Sequence, residues 1–487
     1  MTDYEEIANP VQPEEVERTT EDIKDIDVEE SRFRFLRQAL VGPTALLMIL
    51  YAGAFFTFGP MQLLLEKDGA FSSRCDSSAV SNNQEGQDTV CKEQSSSLLT
   101  VHFVATVLLN ILTPVAGFIS DRFGPFALTL ALTGSGCTGL ILVIIASTAQ
   151  LDFILYPGFI FVGFIPMFAT VLIQETAKIF DGESSRRRII SLLNALFDGG
   201  GFVYTSLWVI SKATGARFDF IMTGYLALAV LLFSTILLLW KAILQRQKTY
   251  TKMRSNVETS LETTADVVSH VEEDIPTDEV NSTSCIPISH RTLREQLLSK
   301  QFILFSIFFT IHNNRNQFTL TTARYHLAYL GDDETGNKYL TIFMLLTAVS
   351  VVGLPVMELL VRLGGYHAAL QGTNVLGIIY GLIVLSSKSL DVQVAGFCVF
   401  AIYRFFIYAV CFSFLPTFVG KSVIGKMTGV LIAIAGIASF VNIPLGRWPV
   451  QSLDGNFFWP NFIYSVMMIP CILIARLVGK DSPRESS

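Results

Sequence analysis

Three ionisable side chains stand inside apolar runs where a soluble core would not place them. His312-Asn-Asn-Arg315-Asn-Gln317 interrupts the run QFILFSIFFTIHNNRNQFTLTTARYHLAYL (301–330). Asp198 lies in SLLNALFDGGGFVYTSLW and Arg404 in AIYRFFIYAV. A guanidinium presents a fork of donors that fits a carboxylate, and an aspartate complements an ammonium group. This is the chemistry of recognition. No zinc spacing, phosphate-binding glycine loop or nucleophile motif stands out, and His312 alone supplies no nucleophile–base pair. Enzyme chemistry is therefore not expected, and neither a cofactor nor a metal is implied.

Helical periodicity sorts these residues further. His312, Arg315, Asn316 and Thr319 fall on one stripe, so Asn313, Asn314 and Gln317 must bond neighbouring helices, or the helix must break there. Ser191, Asn194, Asp198, Gly201 and Thr205 form a second polar stripe. The glycines at 199–201 permit close helix approach or local unwinding. Tyr403-Arg404-Phe405 is followed by Tyr408 and Cys411 at one and two turns. Tyr51 and Gly53 offer an aromatic and a close-packing position in the first apolar run, with ordinary core packing as the alternative.

The elements that position these residues follow from the composition. The chain has 487 residues, 51% of them hydrophobic and 16% charged, with mean hydropathy +0.48. Soluble domains carry about a quarter charged residues. Apolar runs long enough for a hydrocarbon core of about 30 Å recur at 38–65, 97–120, 126–148, 153–177, 187–211, 217–243, 301–329, 338–361, 367–387, 391–418, 423–447 and 457–478. These predict an all-α integral membrane protein with 12 transmembrane helices. Counting about 1.5 Å per residue puts Asp198, His312–Gln317 and Arg404 near one level, mid-membrane. An intramembrane charge costs about 2.5–3.5 kcal/mol even on insertion scales, so these groups face a wet cavity or one another. With two arginines to one aspartate, the level holds surplus positive charge, which a substrate carboxylate would satisfy. The alternative is a structural pair of Asp198 with Arg315 or Arg404.

Lys and Arg in short loops set orientation. SRFRFLR, DRFG, KIFDGESSRRR, VRLGG, GKSVIGK and ARLVGK all fall on one side, which places both termini in the cytoplasm. The domain plan is an acidic disordered tail over 1–37, a six-helix bundle over 38–243, a flexible cytoplasmic linker over 244–300 with a short amphipathic helix at its end, a second bundle over 301–478, and a tail over 479–487. The net charge of −7 comes largely from the tail and linker, and no nucleic-acid partner is implied. On this topology the sequon at Asn281 lies on the wrong side for glycosylation. The loop 66–96 lies outside, where Cys75 and Cys91 make a plausible bridge. A six–linker–six plan is that of two pseudo-repeats with a site between them at the midplane. Gly117…Asp121-Arg122-Phe-Gly124 after the second span is weakly echoed by Gly353…Glu358…Arg362-Leu-Gly364 after the eighth. A gating role follows for these turns, with Arg122 expected to pair with Glu175.

The Gly117–Gly124 pattern resembles the loop signature of the major facilitator superfamily, with Pro125 departing where many members continue with a basic residue. YAGAFFTFGPMQLLLEKDGAFSSRC (51–75), CKEQSSSLLTVHFVATVLLNILTPVAGFISDRFGP (91–125), LLNALFDGGG (192–201), TLREQLLSKQF (292–302) and YRFFIYAVCFSFLPTFVGKSVIGKMTGV (403–430) resemble the L-type amino acid transporters of solute carrier family 43 and their protist relatives. The resemblance implies sodium-independent, facilitated movement of large neutral amino acids, with arginine or aromatic amino acids preferred by some protist relatives. It agrees with the charge reading, which gives the substrate carboxylate to Arg315 or Arg404 and the α-amino group to Asp198 or Asn194; His312, Tyr408 and Tyr51 are further candidates read from the apolar runs themselves. A monomeric unit in the lipid bilayer is expected, in the plasma membrane by family analogy or else an internal membrane. Proton-coupled symport of amino acids or other small carboxylates, and a transporter-like nutrient sensor, are the alternatives.

Overall fold

The computed structural model describes residues 13–75, 91–265, 292–419 and 424–480. Residues 1–12, the acidic stretch around 270–280, the sequon at Asn281, most of GKSVIGK and the last seven residues lie outside the described residues. Among the described residues the structure is helical, with no strands. The chain divides into two compact units, residues 1–43 with 235–285 and residues 44–234 with 286–487.

In the smaller unit, the expected disordered tail is instead helical from Pro13, in α1 (Pro13–Leu47). The linker likewise begins as helix, because α7 (Phe218–Ala265) runs on past residue 244. Glu, Lys, Arg and Gln are good helix formers, and pairs at helical spacing support them: Arg34 bonds Glu30 at 2.9 Å and Arg32 bonds Glu29 at 3.2 Å. Glu29 also takes Arg246 of α7 at 2.5 Å, and Phe33 stacks on Tyr250.

The larger unit contains α2 (Phe58–Lys67), α3 (Lys92–Thr148), α4 (Leu155–Lys178), α5 (Glu183–Gly199), α6 (Phe202–Thr214), α8 (Leu293–Leu297), α9 (Lys300–Tyr329), α10 (Lys338–Ala348), α11 (Leu354–Ser386), α12 (Leu390–Phe414), α13 (Ile424–Ala438), α14 (Asn442–Ser452), α15 (Phe458–Met467) and α16 (Ile469–Lys480). Among the described residues, eight segments are long and apolar enough to cross a membrane. α3, at 57 residues, is two helices joined at Gly124, whose φ of +80° only glycine adopts freely. α11 is broken in the same way at Gly365, φ +65°. α9 is 30 residues long, about 45 Å at 1.5 Å per residue.

Glycine also brings two backbones together. The first apolar run passes through a π-helical turn (Met48–Ala52) and a 3-10 turn (Ala54–Phe56) on either side of Gly53. A Cβ on Gly53 would lie 1.8 Å from the Phe197 carbonyl oxygen, and one on Gly200 would lie 2.6 Å from the Ile49 oxygen. The break between α5 and α6 falls at Gly200–Gly201. The triplet thus serves both close approach and local unwinding, and it fixes Asp198 one residue before the break.

Candidate functional site

Asp198 is the penultimate residue of α5 and Arg404 sits in mid-α12. Arg404 Nη2 reaches Asp198 Oδ1 at 3.2 Å, with side-chain exposures of 3% and 12%. The pair is made through one nitrogen. Arg404 Nε and Nη1 are buried without a hydrogen-bond partner among the described residues. Two unused donors therefore remain beside the carboxylate.

One turn beyond Arg404, the Tyr408 hydroxyl donates to Asn313 Oδ1 at 3.0 Å and accepts from Asn316 Nδ2 at 3.2 Å and Gln317 Nε2 at 3.4 Å. The polar stretch of α9 therefore stays helical, and its amides turn toward α12. Asn442 of α14 donates to the main-chain carbonyl of Asn314 at 3.3 Å, whereas the side-chain oxygen of Asn314 is buried without a partner among the described residues. Asn316 Oδ1 and Gln317 Oε1 remain buried without a partner among the described residues. Unsatisfied buried polar atoms cost about 1–3 kcal/mol each, and here they cluster beside the ion pair.

The other sequence candidates lie elsewhere. Arg315 is 1% exposed. Its guanidinium lies 5.1 Å from the Tyr380 ring centroid, with Nη1 3.0 Å from Met468 Sδ. Such cation–π contacts offset part of a buried charge. It has no carboxylate within ion-pair distance among the described residues. His312 Nδ1 meets the Tyr403 hydroxyl at 2.8 Å. Tyr51 donates to the Tyr225 carbonyl at 2.8 Å and stacks on that ring at 4.5 Å. Asn194 donates to the Ile190 carbonyl one turn back at 2.9 Å.

At the turns, Glu175 takes Lys178 at 2.6 Å and Ser120 at 2.7 Å, in place of the expected Arg122. A lysine three residues away on the same helix is the nearer cation. Arg122 lies 5.9 Å from the Phe123 ring centroid. Asp121 and Arg362 are exposed. A Cβ on Gly117 would meet nothing within 4 Å, so that glycine does not serve tight packing here. Cys75 and Cys91 are joined by a disulfide.

Sequence reading missed two features near that disulfide. His102 of α3 bonds Thr321 of α9 at 2.9 Å through Nδ1 and meets the Phe55 carbonyl at 3.1 Å through Nε2, stacked on Phe58. A histidine inside the apolar run 97–120 was the available signal. Second, Arg324 of α9 lies between Glu66 of α2 and Asp333, at 3.6 and 2.8 Å. Around these, Arg447 and Gln451 donate to Ser96 at 3.0 and 3.1 Å, and Lys92 pairs with Asp454 at 2.7 Å. Burial pushes the Glu66 carboxyl, just beyond the first span, up to about 7 against the pull of Arg324. Burial also raises Asp68, despite its bond from Ser147.

A helical bundle with eight segments long and apolar enough to cross a membrane, and a charged pair among its helices, fits the multi-pass membrane transporters. The Major Facilitator Superfamily model matches residues 44–446, and the chain belongs to that superfamily. Over 182 residues it is 28% identical to Arginine transporter 1 of Toxoplasma gondii, a match covering 36% of this chain and 33% of that protein. Three solved structures share the fold. A peptide transporter POT has TM-score 0.57 and 12% identity over 91% of this chain and 96% of its own. A D-xylose-proton symporter has TM-score 0.56 and 14% identity over 93% and 99%. The nucleoside transporter NupG has TM-score 0.54 and 12% identity over 90% and 98%.

Proposed function

We propose that this chain moves amino acids by alternating access between two six-helix bundles, as a sodium-independent facilitator of large neutral substrates. The observation that carries this reading is the single-contact pair of Arg404 with Asp198. An α-amino acid is a zwitterion whose carboxylate fits the unused Arg404 donors and whose ammonium fits Asp198. Its entry between them exchanges one neutral set of charges for another, so no net charge is buried. The amides around Tyr408 supply the remaining hydrogen bonds. Arg315 and His312, packed among Tyr380, Tyr403 and Met468, hold α9 against its neighbours.

A neutral pair leaves no spare carboxylate for a cationic side chain, and Glu66 and Glu175 are already engaged. This favours neutral over basic substrates. Cationic amino acids are the second reading, favoured by the name of the Toxoplasma relative. Uptake of a panel of twenty radiolabelled amino acids into proteoliposomes, with and without sodium, decides between them. Uptake that is highest for leucine, phenylalanine or methionine supports the first reading, and selective arginine uptake supports the second. Absence of uptake for every amino acid would remove both.

A further inference from the structure

At the disulfide end, one guanidinium stands between two carboxylates. Arg324 Nη1 lies 2.8 Å from Asp333 Oδ1, and Nη2 lies 3.6 Å from Glu66 Oε2. Asp333 follows α9 directly and its side chain is 52% exposed, whereas that of Glu66 is 5% exposed. Water can solvate the first carboxylate but not the second. The surplus negative charge therefore falls on Glu66.

The next residue in α9 carries the same message. The Tyr325 hydroxyl lies 3.0 Å from the Ser95 carbonyl and 3.4 Å from Glu66 Oε1. A hydroxyl has one proton to give, and the carbonyl is the nearer acceptor. Its second contact, toward Glu66 Oε1, is the longer and weaker donation, so Tyr325 offsets little of the negative charge on Glu66.

Among the described residues no other charge pairs with Glu66: Asp332 accepts from the backbone of Tyr339 and Leu340, and Arg447 donates to Ser96. α2 packs against α3, α6, α9 and α10. On α2 and just after it, Lys67 donates to Ser211 of α6 and Asp68 accepts from Ser147. Lys212 of α6 lies over the Trp208 ring. At the start of α3, Lys92 pairs with Asp454, and Glu93 makes no ion pair with the cluster among the described residues. At the start of α10, Lys338 lies over the Tyr339 ring, whose hydroxyl bonds Asp391.

We propose that Glu66 is a proton-binding site, and that the helices before and after the central segment close at this end with uptake of one proton onto it. The inference rests on the transport reading only in requiring a second state in which this end is open. Opening exposes Glu66 to water, where a carboxyl titrates near its ordinary value of 4.5, whereas in the closed end it titrates at about 7. The closed state thus holds the proton more tightly. By linkage, acid favours closure and rising pH favours opening.

Spin labels at Thr148→Cys and Ser386→Cys, with Cys137, Cys285, Cys398, Cys411 and Cys471 replaced by alanine, report the separation of this end in substrate-free protein in nanodiscs. The expected result is a short distance at pH 5.5 giving way to a longer one by pH 8.5. Glu66→Gln, neutral at every pH, should hold the short distance throughout. Asp333→Asn frees Arg324 for Glu66 and should move the midpoint down by about one unit. A distance that ignores pH, a transition unchanged in Glu66→Gln, or a midpoint unmoved in Asp333→Asn would overturn the proposal. If Glu66→Gln does not fold, the Asp333 variant decides alone. No amino acid is present, so failure here leaves the substrate reading untouched.

Discussion

Arg404 meets Asp198 through one nitrogen, 3.2 Å away and 206 residues apart in sequence, while Nε and Nη1 of the same guanidinium stay buried without a partner among the described residues. Removing either member should abolish the fit to a zwitterion. Arg404→Ala and Asp198→Asn are each expected to lower uptake at sub-saturating substrate about 30-fold or more, equivalent to about 2 kcal/mol. Initial rates in proteoliposomes, corrected for the amount of folded protein, measure this. Wild-type rates from both variants would remove the pair from the site.

Tyr408→Phe deletes the hydroxyl that serves Asn313, Asn316 and Gln317. Three amide groups lose a shared partner, at about 1–3 kcal/mol for the set. We expect a lower thermal midpoint together with reduced uptake. The readout is a thermal-shift assay run on the same preparation as the transport assay, and an unchanged midpoint would show that water replaces the hydroxyl without loss.

Gly200→Ala places a methyl group 2.6 Å from the Ile49 oxygen. Helices held this closely must part, a strain of about 1–3 kcal/mol. Gly134→Ala, where a Cβ meets nothing within 4 Å, is the matched control and should be neutral or slightly stabilising. Size-exclusion profiles and thermal midpoints compare the two.

Thermal stability should also depend on Glu66. Its carboxyl titrates at about 7 in the folded protein, against an ordinary value of 4.5. A raised value contributes stability that is fully present below about 4.5 and lost as pH rises through about 7. The midpoint of unfolding is expected to fall across that window, and Glu66→Gln to flatten that part of the profile. An identical pH profile in the variant would contradict this.

Sidedness can be read from the disulfide between Cys75 and Cys91. If the charge pattern of the loops has oriented the chain correctly, a membrane-impermeant reductant added outside intact cells reduces this bond. Differential alkylation and mass spectrometry follow the two thiols. Protection of the bond until the membrane is permeabilised would reverse the orientation.

The sequence singles out the residues of the candidate site but not their contacts. Counting along each apolar run puts Asp198, Arg315 and Arg404 near one level, but depth says nothing about rotation about the helix axis. The sequence therefore could not separate Arg404, which faces Asp198, from Arg315, which packs against Tyr380 and Met468. The same gap left open whether the polar stretch of α9 breaks or bonds its neighbours. That depended on Tyr408, nearly a hundred residues away, pointing at Asn313. Composition misjudged the region after Pro13, because acidity alone does not reveal a basic partner such as Arg246. Glu66 and Arg324 sit near the ends of their runs, where charges are commonplace, and so gave little warning of their contact.

A central pair of one guanidinium and one carboxylate has an electrical consequence. If the substrate is the zwitterion proposed above, the pair itself carries zero charge whether loaded or empty, and binding there adds no charge for the membrane field to act on. On that reading the substrate step itself is electrically silent, and any bias on the cycle beyond the substrate gradient enters through the proton proposed for Glu66.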